Sequence, residues 1–174
     1  MGNSTPARIA RAALTKNITE EIEVRELSES FSMIDPVTGT ISFEAPALAI
    51  APNLTRTQFL ATPIGAQAEK FTDNEPWCSW KLRQTMRSRI DFIVVLWFHH
   101  EKLTRVSLSH SSPSDGRSWA DWSMEKETQR ERKHEECLAS WILDKRREFS
   151  WGKVWSGYDD RTAGSSIEII YGKD

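Results

Sequence analysis

Cysteine is scarce in this chain, with Cys78 and Cys137 alone among 174 residues. Two thiols build no disulfide framework and by themselves hold no structural zinc. Long apolar runs are missing as well: nothing approaches the roughly 18 consecutive apolar residues of a membrane helix. Residues 1–16 lack the apolar stretch of a signal peptide, so a cytoplasmic protein without membrane contact is expected. Positive charge is not in excess. Lys and Arg number 23 against 25 Asp and Glu, a formal net charge of -2, which disfavours nucleic acid as a partner. The eight glycines are scattered and form no phosphate-binding loop. There is no His-x-His, His-x3-His or Cys-x2-Cys spacing and no Gly-x-Ser-x-Gly elbow, so no metal, no cofactor and no hydrolase nucleophile is expected.

What the chain does have is tryptophan, eight residues of it. It also has one stretch, Ile90 to Phe98, in which both alternating faces are apolar. Ile90, Phe92, Val94, Leu96 and Phe98 share one face, and Ile93, Val95 and Trp97 the other. A central strand covered on both sides is the expectation. Upstream, Phe31–Ile34 and Thr40–Phe43 flank Asp35-Pro36-Val37-Thr38-Gly39, where Pro36 presets φ and Gly39 supplies positive φ, predicting a hairpin. Ala47–Ile50 reads as a strand, Thr55–Ala61 as a short capped helix, and Ala68–Thr72 and Pro76–Leu82 as further strands. Leu103, Val106 and Leu108 alternate imperfectly, which predicts a bulge or an edge position. An edge there would offer a homodimer contact.

Ser118 to roughly Glu148 runs without Gly or Pro, predicting one long helix. Its first half is charged and reads as solvated. Cys137, Leu138, Trp141 and Ile142 form the stripe that docks on the sheet. Trp151–Tyr158 and Ser166–Tyr171 then predict a terminal hairpin. The domain organisation that follows is a tail over residues 1–20 and a single domain over 21–174. Its class is α+β: an antiparallel sheet of about six to eight strands centred on residues 90–98, the long helix on one face, and the short helix helping to cover the other.

Candidate chemistry is thin. His99 and His100 read as a turn, and Ser109-His110-Ser111-Ser112 has no supporting motif. Asp159, Asp160 and Arg161 at the tip of the terminal hairpin could grip a cation or a carboxylate, or simply keep the turn soluble. Trp119 and Trp122, at helical spacing, and Trp151 and Trp155, flanking the last turn, are candidates for a surface groove. Trp80, Trp97 and Trp141 read as core, or as the lining of a small-ligand pocket between helix and sheet.

In layout, across residues 30–171, the chain resembles small bacterial α+β proteins. The stretches that carry the resemblance are Asn74-Glu75-Pro76-Trp77-Cys78-Ser79, Ser118-Trp119-Ala120-Asp121-Trp122-Ser123 and Trp155-Ser156-Gly157-Tyr158-Asp159. Some proteins of this build are immunity proteins that block a toxin from neighbouring genes, and none of their residue roles transfers to a numbered position here. The resemblance implies a toxin-like protein partner. The expected function is therefore a non-catalytic protein-binding module, with a ligand-binding protein or enzyme as the alternative.

Overall fold

The structure, a computed structural model, describes residues 33–44, 47–85, 90–112, 119–142 and 147–172. The described residues belong to one compact unit, Met33–Asp174. Expectations for the N-terminal tail, for Phe31 and for Ser118 lie outside the described residues.

Seven strands form one antiparallel sheet: β3 (Glu69–Asn74), β4 (Trp77–Thr85), β5 (Asp91–His99), β6 (Lys102–Ser111), β7 (Glu148–Phe149), β8 (Gly152–Asp159) and β9 (Gly164–Tyr171). Their spatial order is β3-β4-β5-β6-β9-β8-β7. Two meanders therefore meet at the β6–β9 seam, and helix α2 (Met124–Trp141) is the connection between them. A separate ribbon pairs β1 (Ile41–Glu44) with β2 (Ala47–Ile50), and α1 (Arg56–Leu60) follows it. The α+β class, the strand number, the long helix and the short helix agree with the sequence.

The faces of the sheet are unequal. Registers place Cys78, Trp80 and Leu82 of β4, Phe92, Val94, Leu96 and Phe98 of β5, Leu103, Val106 and Leu108 of β6, and Ile167, Ile169 and Tyr171 of β9 on one side. All of them belong to one buried cluster, together with Phe59 of α1, Ile41, Phe43, Leu48 and Ile50 of the ribbon, and Cys137 and Leu138 of α2. Phe59 stacks on Phe98 at 6.1 Å, while the imidazole of His134 stacks on Phe92 at 6.4 Å. Short helix, ribbon and long helix thus cover the same face. This corrects the expectation that α1 covers the opposite one: Phe59, its one fully buried side chain, points to the face that α2 also needs.

The middle strand is β6, not β5. Its imperfect alternation is a bulge, recorded as a register shift between Trp97 and Phe98, and Thr104 fills it by donating its hydroxyl to the Trp97 carbonyl at 3.1 Å. A homodimer built on that strand as an edge is excluded, because β5 and β9 flank it.

Helix α1 starts where Thr55 accepts from the Gln58 amide and Gln58 reaches back to the Thr55 N–H, a reciprocal capping box. Helix α2 starts later than the sequence suggests. Trp119–Asp121 forms a separate 3-10 turn, and Ser123, in extended conformation, is the N-cap that accepts from Lys126 N–H. The helix ends at Trp141, because Ile142 turns to an extended conformation and is buried.

The charged half of α2 is not fully solvated. β6 and β9 pair over Arg105–Leu108 and Ile167–Ile170, and the register goes no further. Two backbone N–H groups past that point, on Ser165 and His110, are taken by helix side chains. Glu127 accepts from Ser165 N–H at 3.0 Å, and His134 Nε2 accepts from His110 N–H at 2.9 Å. Glu127 and His134 are seven residues apart, two turns on one helix face, and both are buried. Buried main-chain donors left without an acceptor would cost about 1–3 kcal/mol each, and this seam satisfies both.

Candidate functional site

Among the described residues no helix or ribbon lies over the second face of the sheet. Val95 is the one buried large apolar side chain among the described residues that lies outside the main cluster, and it belongs to this side. The expectation that residues 90–98 are covered on both faces is corrected accordingly: Phe92, Val94, Leu96 and Phe98 are inaccessible, whereas Ile93 and Trp97 are half-buried.

Two rows of side chains cross this open face. One runs Trp155, Glu168, Ser107, Val95, Lys81 and Glu69 across β8, β9, β6, β5, β4 and β3. The next runs Lys153, Ile170, Arg105, Trp97, Ser79 and Thr72. Exposed rings stand on it: Phe71 at 52%, Trp77 at 49% and Trp155 at 43% exposure. Phe71 meets Trp97 edge-on at 6.2 Å and carries Lys81 Nζ 5.3 Å from its centroid. Trp155 lies along its own strand over Gly157, where an added Cβ would come within 2.7 Å of the indole. The glycine is what lets that ring lie flat.

A closed polar network sits between the rings. Trp97 Nε1–H donates to Ser107 Oγ at 2.9 Å, and the Ser107 hydroxyl donates to Glu168 Oε2 at 2.7 Å. The Ser166 hydroxyl donates to Glu168 Oε1 at 2.7 Å, and Arg105 Nε lies 3.5 Å from Oε2. Arg105 also covers Trp97, its guanidinium carbon 4.4 Å from the ring centroid. The Glu168 side chain is only 13% exposed. Burial pushes its carboxyl above the ordinary glutamate range, against the hydroxyl donors and Arg105, which pull the other way.

The residues singled out from sequence fall around one end of this face. Trp155 and Asp159 lie four apart on β8 and point the same way. Asp159 accepts from the Arg161 N–H at 3.0 Å and from Arg161 Nε at 3.2 Å, and this guanidinium holds its carboxyl below the usual range. Asp160 is exposed at the tip of the turn. Trp122 reaches the same turn from the start of α2 and donates Nε1–H to the Ala163 carbonyl at 2.8 Å. Trp119 lies in the 3-10 turn, and its side chain is outside the described residues.

Trp97 lies on the open face, and Trp80 and Trp141 on the covered one. The three therefore line no common pocket. A hollow of about 230 Å3 does open beside Ile90, His110, Cys137 and Trp141, short of the roughly 300–1,000 Å3 of small-ligand sites. Among the described residues no group of three or more His, Cys, Asp or Glu is placed to hold a metal ion. No described helix is long and apolar enough to cross a membrane.

The Trp97–Ser107–Glu168–Arg105 network was not singled out from sequence. Its signal is the polar phase of two alternating strands, Arg105, Ser107 and Ser109 on β6 with Ser166 and Glu168 on β9, and only the β6–β9 pairing brings the two together. The chain matches no protein-family model, no curated protein and no solved structure.

Proposed function

We propose that the protein is a non-catalytic binding module and that the open face of the sheet is where it holds another protein. The observation that carries this reading is that face itself, with Phe71, Trp77 and Trp155 exposed on a platform at whose centre Trp97, Ser107, Ser166 and Glu168 hydrogen-bond to one another. Six strand positions about 4.8 Å apart and strands of about nine residues give a projected area of roughly 700 Å2. That is close to the roughly 800 Å2 each partner contributes to a standard interface. Trp and Arg are the residue types that most often carry binding energy at such surfaces. An immunity-like module that covers a toxin is the form of this reading suggested by the layout of the chain.

The test compares two variants of the tagged protein in capture from lysate of its source organism. Phe71→Ala/Trp77→Ala/Trp155→Ala is expected to lose a stoichiometric protein that the parent retains, while still folding with a cooperative thermal transition. Met124→Ala, at an exposed residue of α2, is expected to keep it. Equal retention by both variants would overturn the reading.

A further inference from the structure

We infer that Arg105, laid on Trp97, is the anchor of this open face and that it reads a carboxylate on the partner protein; this rests on the binding function proposed above. Arg105 is held before any partner arrives. Trp97 lies beneath its guanidinium at 4.4 Å, and Glu168 holds its Nε edge at 3.5 Å. Trp97 is itself fixed by Ser107, and Ser107 by Glu168. A long side chain that ordinarily loses rotamer freedom on binding has lost much of it already. Its two Nη groups have no hydrogen-bond partner among the described residues, and the side chain remains 40% exposed. Four N–H donors on a planar, stacked cation make a fork that fits the two oxygens of a carboxylate.

The neighbours narrow the ligand. Ile170 stands opposite Arg105 on β9, and Phe71 stands against the far edge of Trp97. The anion therefore sits between apolar walls, which suits an acidic side chain flanked by apolar ones better than a polyanion. Both nearby carboxylates are engaged: Glu168 by two hydroxyls and Arg105 itself, Asp159 by Arg161. Lys153, in the same row across Ile170, adds positive charge about 10 Å away, two strand spacings. A net charge of -2 for the chain, with Asp160 at the adjacent turn, further disfavours a polyphosphate.

The probe is the blocked tripeptide acetyl-Phe-Glu-Phe-amide titrated into the full-length protein, with acetyl-Phe-Gln-Phe-amide as its neutral twin, read by the Trp97 indole N–H resonance. The glutamate peptide is expected to bind at least about tenfold more tightly than the glutamine one, since charge-assisted hydrogen bonds are roughly twice as strong as neutral ones. Arg105→Gln should abolish that preference while leaving the melting temperature unchanged, and Arg105→Lys should keep only part of it, because an ammonium lacks the fork. Equal binding of the two peptides, or a preference that survives Arg105→Gln, would overturn the inference. So would displacement of the glutamate peptide by equimolar inorganic phosphate, which would mean that the fork takes any oxyanion. Loss of the captured protein in the aromatic triple variant combined with its retention by Arg105→Gln removes the anchor and leaves the surface.

Discussion

The two faces of the seven-stranded sheet are built from the same strands and do opposite things. On the covered face Phe98, Leu96, Val94 and Phe92 are inaccessible beneath α1, the ribbon and α2. One residue over, Trp97, Val95 and Ile93 look onto a surface where hydroxyls, a carboxylate and a guanidinium are interleaved with rings. A strand whose sequence is apolar in both phases therefore serves as core in one and as platform in the other. Hydrophobicity in a strand does not say which it is; the elements that pack against it do.

That contrast has an energetic form. Phe98→Ala, which removes a buried ring stacked on Phe59 and edge-on to Trp80, is expected to cost about 3–5 kcal/mol in urea unfolding at unchanged m-value. Trp155→Ala on the open face is expected to cost about 1 kcal/mol or less. If the two costs prove comparable, the open face is core and the comparison collapses.

The seam between the meanders gives a middle-sized effect. Glu127→Ala leaves the Ser165 N–H and hydroxyl without their acceptor and removes the ion pair with Arg130, and is expected to cost about 2–3 kcal/mol. Glu127→Gln, which keeps an acceptor oxygen, should recover most of it. Amide hydrogen exchange at Ser165 provides a local check: it should speed up in the alanine variant and stay slow in the glutamine one.

The smallest effect is a slope rather than a step. Glu168 titrates above its ordinary value of 4.5 in the folded protein, so the fold binds that proton more tightly than the unfolded chain does. Its stabilising contribution is complete below about 4.5 and is lost as pH rises through the folded-state value. Wild type should therefore lose stability relative to Glu168→Gln as pH is raised from about 4.5 toward neutrality. A stability difference that is flat in pH, or that grows in favour of wild type, would show that Glu168 is not a desolvated acid and that the network is looser than described.

Much of the fold was legible in local pattern. Thr55 as a capping residue ahead of Phe59 and Leu60 marked α1, Gly39 took the positive φ of 74° that its turn called for, and the skipped beat at Leu103-Thr104-Arg105-Val106, legible as a bulge or an edge, is a bulge. Less of the site was legible. Trp155, Asp159 and Arg161 were visible as a cluster because they are close in sequence. Glu168 and Ser107 are 61 residues apart, and neither strand alone says that the other lies beside it. Glu127 and His134 looked solvated because their neighbours on α2 are charged; their partners, the backbone N–H groups of Ser165 and His110, carry no sequence signal at all.

The sequence by itself determined the local elements: period-two runs that form strands, a breaker-free stretch whose middle, Met124–Trp141, is helical while Glu148 at its end joins a strand, turns at Pro36–Gly39 and Asp159–Gly164, and a composition without metal, disulfide or membrane signatures. These follow from near-neighbour sterics and periodicity, which act within a few residues. Only the tertiary structure decided that β9 returns to sit beside β6, that both helices and the ribbon share one face, and that Arg105, Trp97, Ser107 and Glu168 converge on the other. The burial of apolar area that drives those choices is non-directional, so a strand apolar on both sides satisfies it with either face. The covering elements broke that tie, and they left one face of the sheet to meet something else.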